Sequence, residues 1–288
     1  MEHKTILITG STDGIGKITA TALAKQGHTL IIHGRNQEKA ERVRQEIIAE
    51  TGNHDIDVLI ADLLSLTDVK RAAEELKSNY SRLDVLINNA GAFFNKHRET
   101  TKAGFEKTIT LNLLAPFLFS QLLLELLEKS PSARIVNLSS AMHKRGGKPN
   151  FSDFQLEKGY KPDRAYGLSK LYLIWVSRHL AHTLQQAGKK ITVNVCHPGA
   201  VATNFGQDAD KGFFINMVFK IALKFMDKPE QGAKTSIYLA TSLDVEGVTG
   251  RFFGNKENEE KPDDRYYSID NEQRVWDYCM QTVGPYLY

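Results

Sequence analysis

The chain has 288 residues and a mass of 32.3 kDa; 41% of the residues are hydrophobic and 25% charged, which excludes disorder, collagen-like repeats and membrane bundles. Its 37 basic and 34 acidic side chains leave +3 with the signs interspersed, too small a surplus for a nucleic-acid footprint. Cys196 and Cys279 are too few for a disulfide framework and lack metal-ligand spacing, so no metal is expected and a reducing, cytoplasmic setting is.

The first apolar run, Thr5-Ile6-Leu7-Ile8, meets glycine too soon to be a signal peptide. Strands are expected at 5–9, 29–33, 57–61, 85–88, 134–138, 192–196 and 250–253. Most are nearly continuous Ile, Val and Leu, the pattern of strands covered on both faces. Helices are expected between them: from residue 17 past the first glycine turn, from an Asn36 cap to Gly52, from Ser65 to about Tyr80, over 104–129 and over 163–188. The longest apolar stretch on this reading, 213–226, is broken by Asn216, Lys220 and Lys224. It falls short of the roughly 20 residues that span a bilayer. Residues 255–265 read as a solvated loop, and the terminal stretch with Trp276, Tyr278, Tyr286 and Tyr288 as one that docks on the body. Repeated strand–helix–strand units imply an α/β, doubly wound Rossmann fold of about seven parallel strands, with 1–288 as a single domain.

Between first strand and first helix stands Thr9-Gly10-Ser11-Thr12-Asp13-Gly14-Ile15-Gly16, then Lys17. Three glycines alone suit a plain turn as well as a phosphate site. Their position favours phosphate, because bare backbone can approach a pyrophosphate at a helix N-terminus. At the end of the second strand His33-Gly34-Arg35-Asn36 lacks the carboxylate that binds ribose hydroxyls. Arg35, helped by Lys17, can pair with a 2′-phosphate, so NADP(H) is expected over NAD(H); the alternative is a solvated arginine at a helix start.

Tyr166-Gly167-Leu168-Ser169-Lys170 puts a phenol and an amine on one helical face, where the ammonium is expected to lower the phenol's pKa. Such a tyrosine can exchange a proton with a substrate oxygen while hydride moves. Tyr160 and Arg164 share the spacing but straddle Pro162, which makes a common face unfavourable.

Together with Asp62-Leu63, Asn88-Asn89-Ala90-Gly91, Asn112, Val136-Asn137-Leu138-Ser139-Ser140, Pro198-Gly199 and Thr203, these motifs occur in an order that resembles the short-chain dehydrogenase/reductase family along nearly the whole chain. The resemblance implies Asp62 and Leu63 at the adenine, Asn88, Ala90 and Gly91 beside the adenosine ribose, and Pro198, Gly199, Val201 and Thr203 at the carboxamide. It implies a catalytic set of Asn112 holding a relay water, Ser140 bonding the substrate oxygen, Tyr166 as acid or base, and Lys170 on the nicotinamide ribose. Isolated, Asn112 could be a satisfied buried amide, the serine pair a strand-end cap, and Asp62 a loop residue. Strand alternation cannot choose Ser140 over Ser139.

The wording from Arg134 to His143 and the 26-residue step from Ser140 to Tyr166 resemble the retinol-dehydrogenase-like branch. Many eukaryotic members of that branch carry an N-terminal anchor, whereas this chain opens on its first strand. An apolar substrate lid is expected at about 204–228, with Phe93 and Phe94 adding to its wall. Some lid residues could serve only to pack a helix, or to touch a membrane surface through a polar side with Lys211, Lys220 and Lys224. The expected function is NADP(H)-dependent interconversion of a small hydrophobic ketone or aldehyde and its alcohol. The alternative is a non-catalytic dinucleotide sensor or scaffold on the same fold. A homo-oligomer through the helices at 104–129 and 163–188 would suit the resemblance, although packing on the sheet explains their apolar content equally well.

Overall fold

The computed structural model describes residues 2–199 and 229–288. Its strands are β1 (Thr5–Ile8), β2 (Thr29–Gly34), β3 (Ile56–Ile60), β4 (Val85–Asn88), β5 (Ala133–Leu138), β6 (Ile191–Cys196) and β7 (Phe252–Phe253). All neighbours pair in parallel, in the order β3-β2-β1-β4-β5-β6-β7. The apolar runs are explained by two cores. Ile6 and Ile8 pack with Leu30, Ile32 and Ile87 on one face, and Leu7 packs with Ile31, Leu86 and Ile135 on the other. The strand order reverses between β1 and β4, which opens a crevice at the C-terminal ends of those two strands.

The first face is covered by α1 (Gly14–Lys25), α2 (Gln37–Thr51) and α7 (Pro229–Thr241). The second is covered by α3 (Leu66–Asn79), α5 (Ala115–Glu128), α6 (Pro162–Gln186) and α8 (Ile269–Leu287). Caps set the ends as the sequence suggested. Asn36 Oδ1 accepts from Lys39 N at 2.8 Å, Gly52 closes α2 at φ +71, and Ser65 Oγ accepts from Asp68 N at 3.2 Å.

Four features differ from the sequence reading. The helix expected over 104–129 has three parts: α4 (Lys107–Ile109), a π turn (Thr110–Leu114) and α5. It starts late because Glu106 caps it, its carboxylate accepting from Ile109 N at 2.7 Å and Thr108 Oγ1 at 2.8 Å. The run Lys107–Glu128, with mean hydropathy 1.6, is also the one stretch among the described residues with the length and hydropathy to cross a bilayer. Some 78% of its apolar window is buried inside the fold. Helix α7 had no sequence forecast; Gly232, Ala233 and Ser236 let it lie close on α1 rather than giving it an apolar stripe. Residues 255–265 form the largely exposed loop that was expected, but one pinned to the body at points the sequence did not show. Asp263 N donates to His143 Nε2 at 3.0 Å, Glu260 Oε2 meets His197 Nε2 at 3.2 Å, and Arg265 Nη2 donates to Lys144 O at 2.6 Å.

The terminal aromatic stretch docks as expected through α8. Trp276 lies edge-on to Phe117 of α5 with centroids 5.0 Å apart and stacks on His179 of α6 at 4.3 Å, while Tyr278 stacks on Phe154 at 4.1 Å. Trp276→Ala should lower stability by roughly 2–3 kcal/mol, since a large half-buried ring is lost. Urea unfolding should show a lower midpoint with unchanged slope; an unaltered midpoint would mean that α8 is not part of the cooperative unit.

Candidate active site

The crevice between β1 and β4 holds the glycine turn. Gly10 has φ +63, and a Cβ there would lie 3.0 Å from Ala90 Cα; one on Gly16 would lie 2.3 Å from Gly10 O. Side chains at either place would push the turn off the 90s segment. Ser11 is buried and donates to Ile8 O at 2.8 Å, so its hydroxyl serves the turn itself. Thr12 covers Gly34, where a Cβ would meet its methyl at 2.6 Å. Gly14, at φ +51, Ile15 and Gly16 open α1. The N–H of Gly14 is taken by Asp13 Oδ1 at 2.8 Å, while those of Ile15 and Gly16 belong to a first turn that has no helical acceptors. Beside the turn Thr9, Leu63, Ala90, Leu111 and Pro116 line a packing gap too tight for a water molecule. Asn88 also faces it, and its buried Oδ1 has no hydrogen-bond partner among the described residues, while its Nδ2 donates to Asn137 Oδ1 at 2.7 Å. The glycine turn, bare backbone at the N-terminus of α1, suits the phosphates of a dinucleotide.

Around Gly34 the charges are only partly those expected. Arg35 is exposed and free of ion pairs among the described residues. Lys17, expected to assist it, is turned across to α2, where its amine pairs with Glu46 at 2.5 Å. The cation that reaches the turn is Lys39, whose Nζ lies 2.7 Å from Asp13 Oδ2 and holds that carboxyl below its ordinary range. Helical spacing did not point to it, because Arg35 precedes the Asn36 cap and lies outside the helix that carries Lys39. Asp62 is exposed and accepts from Leu64 N at 3.0 Å; Leu63 behind it is buried.

The second half of the site lies at the ends of β4 and β5. Tyr166 is 5% exposed and hydrogen-bonds through its phenol to Ser140, whose Oγ also accepts from Met142 N at 3.2 Å. Ser139 turns the other way and donates to Lys170 O at 3.0 Å. Lys170 is 3% exposed; its Nζ donates to Leu138 O at 2.8 Å and sits 5.8 Å from the centre of the Tyr166 ring. Asn112, in the π turn, grips the segment after β4: Oδ1 accepts from Ala92 N and Nδ2 donates to Ala92 O, both at 3.0 Å, and Nδ2 also donates to Ser169 Oγ at 3.2 Å. Both amide hydrogens are spent, leaving one lone pair on Oδ1 for a further donor. A Cβ on Gly91 would lie 3.0 Å from that Oδ1 and 3.1 Å from Lys170 Nζ, so glycine here lets the two groups converge. Phe93 lies on the Tyr166 ring with centroids 5.5 Å apart.

The electrostatics correct one expectation. Tyr166 is not lowered by Lys170: burial pushes the phenol up to about 12, and its bond with Ser140 offsets only part of that. Burial also pushes the Lys170 amine down to about 7, so near neutral pH only part of it is charged. Pro198 and Gly199 follow β6; Gly199 has φ +80, and its N–H donates to His197 Nδ1 at 3.2 Å. Val201, Thr203 and the lid expected at 204–228 lie outside the described residues. Tyr160 and Arg164 part company at Pro162, as their spacing suggested. The tyrosine turns toward Asn95 O, and the arginine binds the carbonyls of Gly146 and Lys148.

Known proteins share this plan. A family model described as short chain dehydrogenase matches residues 4–212. Retinol dehydrogenase 14 of Mus musculus is 40% identical over 296 residues, 99% of this chain and 87% of its own length. Polyprenol dehydrogenase of Homo sapiens is 37% identical, covering 96% and 84%. A short chain dehydrogenase of Shigella flexneri 2a, solved in complex with NADP, superposes with a TM-score of 0.70 at 27% identity over 89% of this chain and 98% of its own.

The depressed Lys170 pKa carries a signed consequence for stability. Unfolded, the amine titrates near 10.5; folded, near 7, so the folded state binds fewer protons between those values. That contribution is complete above about pH 10.5 and is lost as pH falls toward 7. Thermal unfolding of wild type and Lys170→Met between pH 7 and 10 should show the difference moving in favour of wild type as pH rises. A pH-independent difference would place the amine in water.

Proposed function

The chain belongs to the short-chain dehydrogenase/reductase family and is an oxidoreductase acting on CH–OH groups; from that premise we propose that it interconverts a small hydrophobic ketone or aldehyde and its alcohol with NADP(H). The observation that carries this reading is the meeting of Ser140, Tyr166 and Lys170 beside the β1/β4 crevice. A bound nicotinamide dinucleotide supplies the hydride, or accepts it in oxidation. The residues to hold it are Gly10, Ser11, Thr12, Gly14, Ile15 and Gly16 at the turn, Asp62, Leu63, Asn88, Ala90 and Gly91 along the adenosine half, and Pro198 and Gly199 at the other end. Arg35 and Lys39 are the cations for a 2′-phosphate, a choice that fits the absence of a carboxylate at the end of β2.

Tyr166 is the general acid for reduction. A phenol near 12 is protonated at neutral pH and so ready to donate to a carbonyl oxygen, while Ser140 steadies that oxygen with a hydrogen bond. Lys170 at about 7 can take up and release protons near neutrality, and the open lone pair of Asn112 can receive a donor from that side. Burial of Tyr166 under Phe93 keeps bulk water from competing for the proton. The apolar preference is supported by Phe93 and Phe94 and by relatives named for retinol and polyprenol, both hydrophobic alcohols.

In this reading residues 1–288 act as one domain with a substrate lid at about 204–228, and two buried free thiols fit a reducing, cytoplasmic setting. Because α8 lies across α5 and α6, a homodimer over those helices would be made through α8.

Tyr166→Phe should cut turnover of a carbonyl panel, followed by NADPH absorbance, by at least about 100-fold, with NADPH affinity within about twofold of wild type. Comparable turnover in the variant would remove the mechanism. Arg35→Asp should weaken NADPH binding by about tenfold or more and leave NADH binding nearly unchanged; equal losses would contradict the phosphate assignment.

A further inference from the structure

His33, the penultimate residue of β2, is 3% exposed and carries no side-chain role in the chemistry above. Its main chain and ring nonetheless make hydrogen bonds to both Gly10 and Ser11 of the glycine turn. Its main chain brackets Ser11: Ser11 N donates to His33 O at 3.0 Å, and His33 N donates to Ser11 Oγ at 2.9 Å. Its ring bridges two separate segments. Gly10 N donates to Nδ1 at 3.0 Å, and Nε2 lies 3.1 Å from Ala61 O. A backbone N–H can only donate and a carbonyl can only accept, so the ring is neutral with its hydrogen on Nε2. One imidazole thereby ties the first glycine of the turn to the residue before Asp62.

We propose that His33 is a positioning residue for the dinucleotide site, its neutral imidazole holding the Gly10 amide so that the turn and the Asp62 segment stay in register. The proposal rests on the dinucleotide reading above. His33 acts on the backbone that frames the whole adenosine half, so its loss weakens NADPH and NADH alike; Arg35 by contrast discriminates between them. Protonation would set an N–H on Nδ1 against the N–H of Gly10, two donors 3.0 Å apart, and would bury a charge. The charged groups that face the ring are Asp62, after β3, and Asp68, on α3. Both favour the protonated form, but burial outweighs them and holds the imidazole down at about 4. The neutral form therefore prevails at ordinary pH, and the hold on Gly10 is lost only as pH falls through about 4.

The test uses the full chain and two substitutions. His33→Asn keeps an acceptor where Nδ1 stood but cannot titrate; His33→Leu removes the acceptor. At pH 7.5, His33→Leu should raise the Kd of both NADPH and NADH by about tenfold, with kcat at saturating dinucleotide within about twofold of wild type. His33→Asn should restore both affinities to within about threefold. With NADP+ as an acid-stable probe, wild-type affinity relative to His33→Asn should hold from about pH 6.5 to 5 and fall as pH approaches 4. Wild-type affinity in His33→Leu, or no rescue by His33→Asn, overturns the role. Failure of wild type to bind either dinucleotide would instead refute the dinucleotide reading. Exchange of the Gly10 amide in the free protein still decides about His33: it should accelerate in His33→Leu and stay protected in His33→Asn, and equal rates in all three proteins overturn the inference.

Discussion

The arrangement of the site turns on the buried Lys170 amine, which has no carboxylate partner among the described residues. Lys170 lies inside the fold with Leu138 O as its hydrogen-bond acceptor, and a charged ammonium there would lack the pairing that buried cations require. The protein meets this constraint by letting the amine approach neutrality and by arranging dipoles around it. Leu138 ends β5 with its carbonyl aimed at the amine, Ser139 secures the Lys170 main chain, and Gly91 withholds a side chain so that the Asn112 oxygen can face the amine. The end of β5, the segment after β4 and the π turn thus converge around one nitrogen. The phenol of Tyr166, buried beside it, is kept protonated by the same low polarity.

The other half of the crevice is built differently, from backbone. Gly10 and Gly16 are there because neighbouring main chain leaves no room for a Cβ, and Asn89 Nδ2 binds the carbonyls of Thr9 at 2.8 Å and Gly10 at 3.1 Å. The turn is therefore braced from β4 through Asn89 and from β2 through His33. Such bracing supplies pre-formed geometry, so little ordering is left for binding to accomplish.

Much of this was legible in the sequence, for identifiable reasons. Parallel strands buried on both faces need continuous Ile, Val and Leu, so the runs at Ile6–Ile8 and Leu30–Ile32 announced themselves; Asn36, Gly52 and Ser65 marked helix ends because their local bonding is chemically specific. What escaped was set by tertiary contact. The π turn at Asn112 exists to bring an amide against Ala92, a partner 20 residues away that no periodicity encodes. Helix α7 is small-residue-rich because it lies against α1, and the solvated charged stretch at 255–265 is anchored by two buried histidines. The direction of the Tyr166 shift was misread because spacing reveals a nearby amine but not how deeply both groups are buried. Lys17 and Lys39 exchanged parts for a similar reason: Glu46, a turn and a helix away, claims the first.

The long step from Ser140 to Tyr166 has a mechanical reading. The inserted chain returns to α6 at Gly146, where a Cβ would lie 2.6 Å from Leu168 N, and Gly167 answers with a Cβ position 2.5 Å from Gly146 N. Backbone meets backbone one residue from the phenol, so the loop that begins with Ser140 cannot shift without moving the helix that carries Tyr166. Further out the insertion is stitched down: Gln155 accepts from Glu106 N at 2.6 Å, and Phe154 stacks on the Tyr278 ring of α8. The C-terminal helix thus supports the serine–tyrosine distance from outside the site. That makes α8 part of what holds the serine and the tyrosine together, although none of its residues borders the gap between the glycine turn and the π turn.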